Sequence, residues 1–427
     1  MDVYPQSSGP KDLSANQSNE RLCRLIAQHI LAAPQQRIPF AAFMELALYA
    51  PEGGYYATKA GIFGATGDFV TSPFLAADFG ELLAEQFFEM WVALGQPEPF
   101  TLVEMGAGQG LVVQDVLRYL HRHHFDCFAA LEYWIIESSP ALVAKQKQHL
   151  QNLANSWGHL HWYTWEQIAP ASIVGCCFSN ELVDAFPVHR VAIAQNQLQE
   201  VYVTLADASD SSPSASAPLP QFQDVWGDLS TPALRDYFDL VGINLLDGSY
   251  PDGYTTEVNL AALDWMATVA NRLQRGYVLT IDYGYPAQRY YSPRRSEGTL
   301  QCYFQHAYHN DPYRHIGQQD ITAHVDFTAL ERQGERCGLE TLGFVQQGLW
   351  LMALGLGDRI AALSHQQADS PQAVQRVLQR REALHALMHP LGLGNFGVLV
   401  QGKGLTETGR SLRGLQLPAL SFSSQPF

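Results

Sequence analysis

The chain has 427 residues, 47% of them hydrophobic, and a net charge of −16. That length holds one large α/β domain with insertions, or two domains, and the apolar share supplies an ample core. The acidic balance argues against nonspecific nucleic-acid binding, which needs a basic face; it suits steering of a cationic, arginine- or lysine-bearing substrate, although solubility explains it equally well.

The six cysteines, Cys23, Cys127, Cys176, Cys177, Cys302 and Cys337, form no Cys-x-x-Cys pair, so a zinc site is not expected. A reducing compartment fits them. The first twenty residues are polar, carry Asp2, Asp12 and Glu20, and lack the apolar centre of a signal peptide. No 18-residue apolar run offers a membrane span. The expected location is cytoplasmic.

In chain order, residues 1–17 read as disordered. Leu22, Leu25, Ile26 and Ile30 recur at helical spacing behind Ser18, a candidate N-cap. Pro39 opens a second helix running to Tyr49. Gly67-Asp68-Phe69-Val70-Thr71-Ser72-Pro73 is a loop ending in a helix start, with Ser72 as cap and Pro73 at the first helical position. One apolar stripe from Leu75 to Leu94 carries that helix to Gly95. Residues 18–96 thus read as a helical cap with a covering loop.

From residue 101 strands and helices alternate, which implies a parallel sheet with right-handed crossovers. Candidate strands are 101–104, 133–137, 173–179, 277–282, 340–346 and 396–401. The core spans 97–205 and 273–403. It is interrupted by 206–272 (a linker, then helices across 225–272), by a lid-like 284–325, and by helices at 348–388 whose apolar residues suit a homodimer face. Residues 404–427 read as a flexible tail.

The most informative stretch is Leu102-Val103-Glu104-Met105-Gly106-Ala107-Gly108-Gln109-Gly110. An apolar strand ends in an acid, three glycines follow at alternate positions, and a helix begins at Leu111. A dinucleotide fingerprint is Gly-x-Gly-x-x-Gly with its acid about 20 residues on. Here Leu111 stands where that third glycine would be, and Glu104 precedes the turn. A second acid, Glu137, followed by Ser138, ends the next apolar run. This pattern looks like the S-adenosylmethionine site of class I methyltransferases. Glu104, Gly106, Gly108 and Gly110 would hold the methionine end, and Glu137 the two ribose hydroxyls. An ordinary glycine-rich loop and a solvated strand-end acid are the plainer alternatives.

Asn180-Glu181-Leu182-Val183-Asp184 follows the strand at 173–179, at the rim where open α/β sheets bind ligands. Asp184 either faces the substrate or caps the next helix. Asp282 and Tyr283 end another strand at the same rim, where Asp282 orients substrate or satisfies a tight turn. His306, His309, His315 and His324 read as loop histidines rather than metal ligands.

The combination resembles the MidA family, the methyltransferases associated with mitochondrial complex I assembly and their bacterial relatives. The segments that carry the resemblance are Met44 through Tyr56, Gly67–Pro73, Glu104–Gly110, Asn180-Glu181-Leu182-Val183-Asp184-Ala185-Phe186-Pro187-Val188, Ile281–Gly284, Asp320-Ile321-Thr322-Ala323-His324-Val325-Asp326-Phe327 and Gly394–Lys403. The likeness covers about residues 20–403. It implies an α/β class I methyltransferase fold, Rossmann-like, with a mostly parallel seven-stranded sheet and helical insertions. It further implies S-adenosylmethionine as cofactor and, in the mitochondrial members, symmetric dimethylation of an arginine on a complex I subunit. Ala107 and Gln109 depart from the family's usual Gly-Pro-Gly-Arg-Gly turn. Cofactor contacts are then expected from Asp68, Thr71, Ser72, Pro73 and Asn180 as well. Glu181 and Asp184 are the expected catalytic acids. Asp282, Tyr283, Asp320 and Asp326 are expected on the substrate side. A noncatalytic assembly factor, a small-molecule methyltransferase and a NAD-dependent oxidoreductase are the competing readings.

Overall fold

A computed structural model of the chain describes residues 17–58, 72–206, 219–305, 307–365 and 370–416. The strands of its first part are β1 (Arg37–Pro39), β2 (Phe100–Met105), β3 (Leu131–Ile136), β4 (Leu160–Tyr163), β5 (Ile173–Asn180), β6 (His189–Ala194), β7 (Gln197–Leu205), β8 (Phe222–Gly227) and β9 (Thr255–Val258). Then come β10 (Leu273–Asp282), β11 (Gly284–Tyr285), β12 (Gln301–Phe304), β13 (Ala307–His309), β14 (Asp320–Thr322), β15 (Val325–Asp326), β16 (Glu340–Gln346) and β17 (Gly397–Lys403).

One sheet has the order β16-β17-β10-β5-β2-β3-β4. The five strands from β10 to β4 run parallel, and β17 lies antiparallel between β10 and β16. Alternate side chains serve two cores. Phe178, Leu279 and Val400 pack with Phe87 and Val116 from the helices Asp78–Ala93 and Leu111–His123. Cys177, Val278 and Leu399 pack with Met266 and Leu330 from the helices Leu260–Arg272 and Phe327–Arg336. Strands covered on both faces read as unbroken apolar runs, which is why this sheet is visible in the sequence.

A second sheet, wholly antiparallel, has the order β1-β7-β6-β9 with β8 on β7. The helices Glu20–Ala32 and Phe40–Tyr49 join its core through Leu22, Ile26 and Phe43, against Val203. The helix Ala233–Val241 joins another through Leu234 and Phe238, against Val191 and Ile193. Residues 225–272 are therefore not helical throughout. The boundary expected at residue 205 cuts this sheet between β7 and β8. Its outer strands lack a legible alternation: β8 exposes Gln223 and Asp224, and β9 buries Glu257.

Three smaller differences also have local causes. The helix expected from Ser72 to Gly95 is broken into Ser72–Leu75 and Asp78–Ala93. Asp78 opens the second part with a buried carboxylate bound by Arg380 at 2.6 Å and Arg359 at 2.9 Å. The N-cap of the first helix is Asn19, whose Oδ1 accepts Leu22 N–H at 3.2 Å, while Ser18 Oγ accepts Ile316 N–H at 2.9 Å. The lid-like segment is folded: β12 pairs with β13 and β14, and β11 with β15.

Candidate active site

The parallel strands end at one rim, and the residues just beyond them gather there. Gly106, Gly108 and Gly110 have φ of +72°, +54° and +78°, the left-handed region that strains any residue with a Cβ. A Cβ on Gly106 would lie 2.7 Å from Leu182 Cδ1, and one on Gly110 would lie 2.9 Å from Leu150 Cδ1. Among the described residues, one on Gly108 would meet nothing within 4 Å. A side chain at either outer glycine would thus have to push a leucine aside, while the middle glycine faces open space among the described residues. Beyond the turn, the first N–H groups of the helix Leu111–His123 lack intrahelical partners.

Glu104 is buried, and its Oε2 accepts the Tyr133 hydroxyl at 2.6 Å. Burial pushes its carboxyl up to about 7, the tyrosine opposes that, and nearby Glu137 adds to it. Glu137 Oε1 accepts Ser139 N–H at 3.0 Å, and its Oε2 accepts Gln146 Nε2 at 3.1 Å. Burial also raises Glu137, against these donors. Ser138 lies exposed beside it.

At the end of β5, Glu181 has a positive φ of +52°, a cost of about 1–3 kcal/mol for a residue with a side chain. Its Oε1 accepts Asn180 Nδ2 at 3.1 Å and Ser72 N–H at 3.4 Å. Burial first, and then the charge of Asp184, push Glu181 up to about 8. Asp184 sits in the turn Val183–Ala185, 7% exposed. Its Oδ2 accepts the Tyr283 hydroxyl at 2.6 Å, and its Oδ1 has no hydrogen-bond partner among the described residues. Burial raises it to about 6 despite the tyrosine.

Asp282 supports this loop from below. It is fully buried; Oδ2 accepts the N–H groups of Leu182 (3.2 Å), Val183 (2.9 Å) and Asp184 (3.4 Å), and Oδ1 accepts Tyr283 N–H at 2.9 Å. Its bonds are those of a turn anchor rather than of a substrate ligand. Asp326 likewise caps the helix Phe327–Arg336, accepting Thr328 and Ala329 N–H at 3.0 and 3.3 Å and the Tyr237 hydroxyl at 3.2 Å. These bonds give it a helix-capping role, where the sequence suggested a substrate contact. Asp320 Oδ2 accepts the Tyr56 hydroxyl at 2.8 Å.

Ser72 is buried beside Glu181, and its Oγ accepts Gln347 Nε2 at 3.3 Å; Pro73 follows half-buried. Asp68 and Thr71 lie outside the described residues. Tyr49 and Tyr56 escaped the sequence reading as site residues. Their rings stack with centroids 5.5 Å apart. The Tyr49 hydroxyl donates to Ala185 O at 2.8 Å, and Ser139 Oγ donates to Tyr56 O at 2.8 Å. Burial raises Tyr49, and Asp320, Asp184, Glu45 and Glu137 add to that, so acids converge on this pair. Gln146 escaped as well, because a lone glutamine on a helix reads as a solvated position.

Among the described residues, Glu104, Glu137, Glu181 and Asp184 form no ion pair with lysine, arginine or histidine. Carboxylates that are buried (Glu104, Asp184) or half-buried (Glu137, Glu181) without counter-charge favour a ligand that brings positive charge. Among the described residues, Gly108 leaves room for it to approach the backbone.

A parallel sheet whose first strand turns through three glycines, with an acid on either side, defines a nucleoside-binding α/β enzyme. Residues 82–345 match the model of a family of S-adenosyl-L-methionine-dependent methyltransferases. The chain belongs to that family, is a methyltransferase using this cofactor, and is MidA-like, as its motifs suggest. It is 30% identical over 337 residues to the Drosophila melanogaster protein named protein arginine methyltransferase NDUFAF7 homolog, mitochondrial, covering 74% of this chain and 71% of that one. It is 26% identical over 419 residues to the human protein arginine methyltransferase NDUFAF7, mitochondrial, covering 91% and 86%. A solved superfamily member from Burkholderia thailandensis, bound to S-adenosyl-homocysteine, is 29% identical with a TM-score of 0.77, over 92% of this chain and 94% of that one. The fold is thus an α/β methyltransferase fold. The relatives are named as mitochondrial proteins, which overturns the cytoplasmic location expected from the sequence.

Proposed function

We propose that this methyltransferase acts on a guanidinium nitrogen of an arginine side chain carried by a protein. The observation that supports it is the pair of half-buried Glu181 and buried Asp184, both raised by burial, Glu181 further by the charge of Asp184, and lacking a cationic partner among the described residues. The names of the Drosophila and human relatives support the same acceptor. Two carboxylates can grip a planar guanidinium through several of its five N–H donors. A complex I-type subunit is the carrier that the family resemblance implies, and symmetric dimethylation the product.

In this reading the sheet is a class I methyltransferase core. Gly106, Gly108, Gly110 and Glu104 hold the methionine end of the cofactor, and Glu137 with Ser138 the ribose. Asn180, Ser72 and Pro73 are further cofactor contacts, and Asp68 and Thr71 are assigned the same role from the sequence alone. When bound, S-adenosylmethionine supplies an electrophilic methyl group on a positively charged sulfur. The chain's task is alignment and proton removal. A guanidinium entering the cleft returns Glu181 and Asp184 to carboxylates. Asp184, fixed by Tyr283, holds one edge of it, with Asp320 on the approach. Glu181 localises charge on the attacking nitrogen and takes the proton that nitrogen sheds as its new bond to carbon forms.

The test is transfer of a radiolabelled methyl group to arginine-bearing proteins and peptides, followed by acid hydrolysis. Label in methylarginine is expected. Label in another amino acid or in a small metabolite, or none at all, overturns the reading.

A further inference from the structure

One buried side chain in the cleft is not used by the mechanism above. Gln146, on the helix Pro140–His149, is fully buried, and its side chain makes three hydrogen bonds. Nε2 donates to Gly108 O at 3.0 Å and to Glu137 Oε2 at 3.1 Å, and Oε1 accepts Trp162 Nε1 at 3.0 Å. An indole nitrogen only donates. Trp162 therefore fixes which end of the amide is oxygen, and both amide hydrogens must point toward the glycine turn and the acid.

These partners belong to the two ends of the cofactor cleft. Gly108 is the glycine that faces open space among the described residues, and Glu137 ends the neighbouring strand. Ser139 N–H holds Oε1, Gln146 Nε2 holds Oε2, and the Ser138 backbone also donates to this carboxylate. A carboxylate has about four lone-pair sites, so these donors set its plane without filling it. A carboxylate held this way presents two acceptors side by side, the complement of two adjacent hydroxyls.

We infer that Gln146 is a positioning residue, which locks the Glu137 carboxylate to the glycine turn so that the cleft selects a nucleoside bearing a vicinal diol. This rests on the ribose reading of Glu137 above. A residue that merely fills the core would lower stability when replaced, yet leave the choice between ribose and deoxyribose unchanged.

The experiment titrates S-adenosylhomocysteine and its 2′-deoxy analogue into the full chain by calorimetry. The unaltered protein is expected to bind the deoxy compound about tenfold more weakly, the loss of one hydrogen bond to a charged group. Gln146→Met is expected to weaken S-adenosylhomocysteine about tenfold and to shrink the ribose preference to about twofold. A Gln146→Met protein that keeps the full preference overturns the inference while leaving the ribose reading intact. No preference in the unaltered protein overturns both. Gln146→Glu supplies an independent readout should the methionine variant fail to fold. Near pH 5.5 a proton shared with Glu137 restores one donor and near-normal affinity; near pH 8 two carboxylates repel, and affinity falls about tenfold or more. A flat pH profile for that variant also overturns the inference.

Discussion

Replacing Glu181 by glutamine separates catalysis from stability in opposite directions. Both hydrogen bonds that the side chain receives, from Asn180 Nδ2 and Ser72 N–H, end on the same oxygen, Oε1. Glutamine keeps that oxygen, so the local structure is expected to persist. What disappears is a titrating acid raised from its ordinary 4.5 to about 8 by burial and by Asp184. An acid raised in the folded state holds its proton there after the unfolded chain has released it. The unfolded state then binds fewer protons, so stability falls as pH rises from about 4.5 to 8. The whole interval corresponds to roughly 5 kcal/mol at 1.36 kcal/mol per pH unit. Partial solvent access and sharing of charge with Asp184 reduce this to about 1–3 kcal/mol. Glu181→Gln is therefore expected to be more stable than the parent by that amount at pH 9, and equally stable near pH 4.5. Urea unfolding across pH measures this. The same variant should bind S-adenosylhomocysteine normally and lose about a hundredfold or more in transfer. Parallel stability profiles, or unchanged turnover, would refute the reasoning.

Other positions separate in the same way. Asp282→Asn leaves at least one buried N–H without an acceptor and is expected to cost about 1–3 kcal/mol in chemical denaturation; an unchanged unfolding midpoint would show that the four amide contacts carry no weight. Gly110→Ala places a Cβ against Leu150 at positive φ and should lose more stability than Gly108→Ala, which is also strained by its φ but meets no described neighbour; Gly108→Ala should lose more cofactor affinity than Gly110→Ala. Calorimetry and thermal unfolding of the two together decide it, and equal effects on both observables would contradict the open-space argument. Tyr283→Phe removes the hydroxyl that holds Asp184 down, so that acid should rise further above about 6. The acidic limb of the transfer rate should move to higher pH, and an unmoved limb counts against Asp184 as the working carboxylate.

The central sheet was legible because β2, β5 and the second half of β10 are buried along nearly their whole length and are largely apolar. The glycine turn and its flanking acids were legible because left-handed backbone leaves a residue-type signature. The second sheet was not. β9 hides a buried glutamate that accepts from Thr299 and Leu300, partners more than forty residues away. Carboxylates at strand and helix ends look alike in a sequence, whether they serve a ligand or a backbone turn. Asp282 and Asp326 differ from Asp184 only in what surrounds their oxygens, and those neighbours come from distant segments. Tyr49 and Tyr56 read as helix-end and turn residues; only the fold brings both against acids from β14 and the β5 rim.

The stacked tyrosines carry a consequence for how such enzymes diversify. Tyr56 touches Ser139 through its carbonyl and Asp320 through its hydroxyl, while Tyr49 ties to Ala185. In the proposed reading, the wall that an acceptor passes is thus contributed by residues 40–58, upstream of every strand in the larger sheet. Exchange of that leading module alone offers a route to retargeting the enzyme, with the transfer machinery inherited unaltered.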